Sequence, residues 1–177
     1  MQSTEQRLAP NIEEQIRSLK VLVVDDEHYS RKVIHSLLIA IGVKEILEAN
    51  DGVKGLDAIR THAPDLVIVD WEMPGLNGTE FTRVVRSPGT FPYPDVPIIM
   101  LTGHAERSLV VAAVKVGVDE YLLKPVSSQG LRARIVSVLT KPRNIVQKNG
   151  YYGPEPRKFS SYKPEKDSGF DNVVLVN

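Results

Sequence analysis

Residues 66–78 read LVIVDWEMPGLNG. Leu66, Val67, Ile68 and Val69 are apolar without the alternation of a half-exposed strand, so the segment predicts a strand covered on both faces. Pro74, Gly75 and Gly78 then break the pattern and turn the chain away from the sheet. Between strand and break stands Asp70, a carboxylate placed where burial opposes charge.

The same strand-then-break pattern repeats on either side. KVLVVDD (20–26) is a second buried run, and YSRKVIHSLLIAIG (29–42) sets Val33, Leu37, Leu38 and Ile41 on one helical face. KEILEA (44–49) reads as a shorter strand and DGVKGLDAIRTHA (51–63) as a helix starting near Asp51. After the quoted strand come a helix over 77–87, a strand in DVPIIMLTG (95–103) and a helix in AERSLVVAAVKVG (105–117), stopped by Gly117. VDEYLLKP (118–125) and SSQGLRARIVSVLT (127–140) complete five strand and helix pairs. That alternation predicts an α/β fold, a doubly wound five-stranded parallel sheet with helices on both faces and right-handed crossovers.

The 177-residue chain is 42% hydrophobic and 25% charged, enough for one ordinary core with extensions. Its 22 Lys and Arg balance 22 Asp and Glu, so no global field draws it to nucleic acid or an anionic surface. With no cysteine, disulfides and thiolate metal sites are excluded. No apolar run approaches the ~20 residues of a membrane span, and the first residues lack a signal-peptide core. A cytoplasmic location is the expectation.

In doubly wound sheets ligands bind beyond the carboxyl ends of the strands. Asp25 and Asp26 end the first strand, Asp70 the third, Thr102 the fourth and Lys124 the fifth. Carboxylates gathered this way repel and raise one another's pKa unless a cation joins them. Mg²⁺ suits the set, since it takes one or two carboxylates and completes its shell with water and phosphate oxygens. Asp70 could then attack phosphorus and form an aspartyl phosphate, with Lys124 and Thr102 facing the equatorial oxygens.

These residues, in the strings VDD, VDWEMPGLNG, MLTG and YLLKP, resemble the receiver domain of bacterial two-component response regulators over residues 20–140. The resemblance implies a flavodoxin-like sheet in the order 2-1-3-4-5. It implies Asp70 as phosphoacceptor, Asp25 and Asp26 as the acidic Mg²⁺-binding pair, and the backbone carbonyl of Glu72 as a further ligand. Lys124 becomes the phosphate-contacting lysine, and Thr102 and Tyr121 the switch pair. A sensor histidine kinase or histidine phosphotransfer protein is the implied partner, docking near Ser30, Lys32 and Val33. The protein would catalyse only its own phosphoryl transfer and hydrolysis.

A phosphoryl group adds roughly 1.5 to 2 negative charges. It would draw Thr102 in and let Tyr121 turn inward, altering the face built from the 105–117 helix, the 118–125 strand and the 127–140 helix. That face, or the tail, is the candidate homodimer contact. Glu72 and His104 flank the acceptor and are read as tuning the lifetime of the phosphorylated form. His28, His35 and His62 lack metal-ligand spacing and are read as structural or surface residues, and Trp71 as core packing.

Three other classes fit less well. Aspartate-nucleophile phosphatases resemble D-x-D-x-T, whereas positions 72 and 74 here are Glu and Pro. A flavin carrier needs a Ser, Thr and Gly-rich phosphate loop where this chain has DDEHYS. A phosphorylation-independent receiver-like interaction module usually loses the acceptor, acidic pair or lysine, and all are present.

The flanks read as an extension over 1–19 and a tail over 141–177. Leu8, Ile12, Ile16 and Leu19 predict a short helix, with Asn11 and Glu14 as a capping box. The tail holds seven Lys and Arg against four Asp and Glu, several prolines and no sustained period, and reads as extended or mobile. Its NVVLV segment (172–176) could pair as a strand. Aromatic and basic residues interleave in YYGPEPRKF, but a net excess of three charges is too small to favour nucleic acid. No further domain motif follows residue 140, which predicts a single-domain regulator.

Overall fold

The computed structural model describes residues 11–156. Five parallel strands, β1 (Lys20–Val24), β2 (Glu45–Ala49), β3 (Leu66–Asp70), β4 (Ile98–Thr102) and β5 (Glu120–Leu123), form one sheet in the order β2-β1-β3-β4-β5. Among the described residues six helices accompany it: α1 (Ile12–Ser18), α2 (His28–Ile41), α3 (Gly52–His62), α4 (Gly78–Val85), α5 (Arg107–Val116) and α6 (Ser128–Thr140). The flavodoxin-like architecture is thus the one expected.

All five residues of β3 are buried, as are all five of β4. Successive side chains serve opposite cores. Leu22, Val24, Val67, Val69, Ile98, Met100 and Tyr121 join a cluster with Leu56, Phe81 and Val110 from α3, α4 and α5. Val21, Val23, Leu66, Ile68, Ile99, Leu101 and Leu122 join the other with Ile16, Ile34, Leu38, Leu131 and Ile135 from α1, α2 and α6. The buried face of α2 is Ile34, Leu38 and Ile41; of the stripe read from sequence Leu38 and Ile41 are buried, while Val33 and Leu37 sit half-exposed, each one position before a buried residue.

Local signals set the helix ends. Asp51 accepts from the Lys54 amide at 2.7 Å, and Asn77 with Glu80 forms a reciprocal capping box. Gly42 and Gly117 end α2 and α5 at φ 112° and 99°. Asn11 caps α1, but through the Glu13 amide; Leu8 lies outside the described residues.

Residues 141–156 depart from the extended or mobile reading. β6 (Ile145–Lys148) and β7 (Tyr151–Pro154) form an antiparallel hairpin, turned by Asn149 and Gly150 at φ 52° and 80°. Positive φ at both central residues is the turn that matches strand twist, and Asn-Gly is its strongest sequence signal. The hairpin docks beneath the sheet: Arg143 Nη2 donates to the Val118 and Asp119 carbonyls at 2.9 and 2.8 Å, the Tyr152 hydroxyl donates to the Asp95 carboxylate, and β7 packs on α5. The NVVLV segment lies outside the described residues.

Candidate functional site

At the carboxyl edge of the sheet β1 delivers Asp25 and Asp26, and β3, β4 and β5 deliver Asp70, Thr102 and Lys124. Asp70 ends β3 in register with Leu101 of β4, and Thr102 pairs with Leu123, the residue before Lys124. The MPGLNG segment does not simply leave the sheet. It returns at Gly78, whose amide donates to the Trp71 carbonyl at 2.9 Å; a Cβ there would lie 2.5 Å from the Asp70 carbonyl oxygen. Glycine is required by that approach.

Asp25, Asp26 and Asp70 offer carboxylate oxygens all within 4.8 Å of one another. Lys124 Nζ sits 2.7 Å from Asp70 Oδ1 and 3.3 Å from Asp25 Oδ2. Asp25 is 1% exposed and held from three sides, by the Glu27 amide at 2.9 Å, the Ser30 hydroxyl at 2.5 Å and Lys124. Arg31 Nη1 donates to the Asp25 and Asp26 carbonyls at 2.8 and 3.2 Å, fixing the turn that presents the pair. Asp26 itself is exposed.

Asp70 is 5% exposed, and burial raises its pKa. Its hydrogen bond and charge attraction with Lys124 pull the other way, while Asp25 and Asp26 push it further up. Burial lowers the Lys124 pKa, but Asp70 and Asp25 outweigh it and hold the ammonium above its ordinary value. Three carboxylates against one ammonium leave the cluster short of positive charge. The donor set, all oxygen and partly open at Asp26, is the chemistry a hard divalent cation requires.

Thr102 is fully buried, and its Oγ1 accepts from the His104 amide at 3.0 Å. Tyr121 is 2% exposed, and its hydroxyl donates to the His104 carbonyl at 2.8 Å. The sequence reading had Tyr121 turning inward in response to a charged acceptor. Here it is inward with Asp70 a plain carboxylate on Lys124, because the His104 carbonyl receives the phenol at 2.8 Å. Glu72 and His104 meet directly, Oε1 to Nε2 at 2.5 Å. This pairing, like the roles of Ser30 and Arg31 behind the acidic turn, was not read from the sequence, which singled out Glu72 and His104 only as tuning residues and Ser30 only for a partner contact.

His28 lies 3.3 Å from Arg31 and His35 2.6 Å from Glu48, so both serve local surface contacts. Trp71 packs against the α3–α5 core. Among the described residues the aspartate trio is the group placed to hold a metal.

The model of the response regulator receiver domain matches residues 21–136. The chain belongs to the response regulator receiver family. This receiver is 36% identical over 122 residues to the Helicobacter pylori chemotaxis protein CheY1, covering 68% of the chain and 97% of that protein. It is 37% identical to a Campylobacter jejuni chemotaxis protein CheY homolog, covering 68% and 92%. Among solved structures, a Clostridium thermocellum receiver domain aligns with a TM-score of 0.62 and 34% identity over 70% of this chain and 95% of that one. Vibrio cholerae chemotaxis protein CheY4 aligns at 0.59 and 29% over 70% and 97%. The receiver match ends at residue 136, ahead of the hairpin at 145–154.

Proposed function

We propose that this receiver acts as a response regulator that accepts a phosphoryl group on Asp70 from a histidine kinase or histidine phosphotransfer protein. The observation that carries the reading is the cluster itself: three carboxylates within 4.8 Å and an ammonium 2.7 Å from Asp70 Oδ1. Residues 20–140 are the signalling domain, flanked by 1–19 and 141–177.

An Asp70 oxygen attacks phosphorus as the bond to the donor's imidazole nitrogen breaks; the electron pair goes to that nitrogen, the ring leaves as neutral imidazole because its other nitrogen carries a proton, and Asp70 holds the acyl phosphate. Lys124 moves from the carboxylate to the transferred oxygens, and Thr102 donates its hydroxyl to another. Asp25, Asp26, Asp70 and the Glu72 carbonyl would hold Mg²⁺, which when bound neutralises the carboxylates and the developing phosphoryl charge. Thr102 and Tyr121 pass the event to the face formed by α5, β5 and α6, which binds a partner or a second copy. Glu72 and His104 set how long the phosphorylated form lasts by controlling the approach of water.

Lys32 is exposed and Val33 half-exposed on α2 beside the site, fitting a kinase contact, whereas the Ser30 hydroxyl is engaged on Asp25. No described helix is long and apolar enough to cross a membrane, and exchange with the proposed kinase or phosphotransfer protein would take place in the cytoplasm. Labelling by acetyl phosphate tests the reading. It should require Mg²⁺, stop with chelator and vanish in Asp70→Asn. Unlabelled wild-type protein that still binds its partner would instead make it a phosphorylation-independent module, and turnover of a general phosphomonoester would make it a phosphatase.

A further inference from the structure

Glu72 lies two residues past Asp70 and His104 two past Thr102, on the loops leaving adjacent strands β3 and β4. Their 2.5 Å contact ties those loops together by side chains. His104 uses three separate groups: its ring reaches Glu72, its amide donates to Thr102 Oγ1 at 3.0 Å, and its carbonyl receives the Tyr121 hydroxyl at 2.8 Å. The Thr102 side chain also faces the phenol. Thr102 and Tyr121 therefore do not meet the solvent-side loop independently; both are referenced to the backbone of one residue, and that residue is anchored by Glu72.

Both anchoring side chains are partly solvated, 44% exposed for His104 and 66% for Glu72, whereas Thr102 and Tyr121 are buried. An exposed contact thus stands next to a buried one through a single residue. Without the anchor, the loop between Thr102 and α5 keeps its backbone hydrogen bonds but gains freedom to swing, and the phenol loses a fixed acceptor.

We propose that Glu72 and His104 act as one tether that positions the Thr102 hydroxyl and holds Tyr121 inward while Asp70 is a plain carboxylate. This rests on the reading of Thr102 and Tyr121 as the phosphoryl-responsive pair. In consequence the α5–β5–α6 face is already largely in its inward arrangement before phosphorylation, and the phosphoryl group has correspondingly less of the population left to shift. Glu72 and His104 are positioning residues, and they act together.

Nitration by tetranitromethane of the full-length protein, in chelator and without a phosphoryl donor, reads the phenol directly when mapped by peptide mass. Tyr151, half-buried in the hairpin, is the internal control for general loosening. Glu72→Ala and His104→Ala should each raise nitration at Tyr121 roughly two- to five-fold, the range of an exposed ion pair, with Tyr151 unchanged. The double variant should match either single one. Unchanged Tyr121 nitration, a rise shared equally by Tyr151, or a double variant equal to the product of the two single effects would overturn the tether. Glu72→Gln, which keeps an acceptor for the imidazole, should fall between wild type and Glu72→Ala. Acetyl phosphate labelling of the wild type is a separate measurement, so failure of the phosphoacceptor reading and failure of the tether are told apart.

Discussion

At the carboxyl edge of the sheet, Asp25, Asp26 and Asp70 cluster with the Lys124 ammonium paired to Asp25 and Asp70, and burial together with like charge holds the Asp70 pKa up. At the opposite edge, buried Arg86 gives hydrogen bonds to the Gly117, Pro94 and Val96 carbonyls and to Asp119 Oδ2, all between 2.6 and 2.9 Å. Asp119 Oδ2 also receives the Ile98 amide at 2.8 Å. Burial pushes both members of that pair toward neutrality, Arg86 down and Asp119 up, but each lies against the other and against backbone dipoles. One end is under-neutralised, as the proposed phosphoryl chemistry needs; the other is matched and structural. The difference separates reactivity from the knot that fastens the start of β4, the start of β5 and the hairpin.

The largest effect should come from Asp70→Asn, which abolishes acetyl phosphate labelling while leaving the unfolding midpoint unchanged or higher. Because the folded pKa of Asp70 is raised, its contribution to stability is present below the unfolded pKa and is lost as pH rises through the folded one. In chelator, Asp70→Asn should remove that downward slope from the stability profile. A lower midpoint in the variant would mean that the carboxylate stabilises the fold and the two ends are alike.

Arg86→Ala should act in the reverse manner, costing about 3–5 kcal/mol in denaturant unfolding by stranding buried Asp119, with labelling retained by the folded fraction. Gly78→Ala sits between the two ends in consequence. Its Cβ meets the Asp70 carbonyl, so it should cost about 1–3 kcal/mol and slow labelling together. Smallest is Tyr152→Phe, which removes the hydroxyl from Asp95 and should cost about 0.5–1.5 kcal/mol with no change in labelling. Slower labelling in that variant would show that the hairpin communicates with the site.

Much of the carboxyl edge was legible because period and punctuation fall within single segments. A non-alternating apolar run must be a strand covered twice, and whatever follows it must stand on the rim, which located Asp25, Asp26, Asp70, Thr102 and Lys124. The hairpin was legible in principle from Asn149–Gly150 and was obscured by the prolines around it. Arg86 was not, since nothing local distinguishes it from a solvated helix-end arginine; burial comes from Gly117 and Asp119, some thirty residues away.

By itself the sequence determined the five strands of the main sheet in their order along the chain, the burial of its central strands on both faces and the chemistry of their ends, because these follow from hydrophobic period and turn residues. Only the tertiary structure decided which charges meet. Glu72 with His104, Arg86 with Asp119 and Tyr121 with the His104 carbonyl are contacts between segments brought together by strand order, and side chains found by topology leave no periodic trace along the chain.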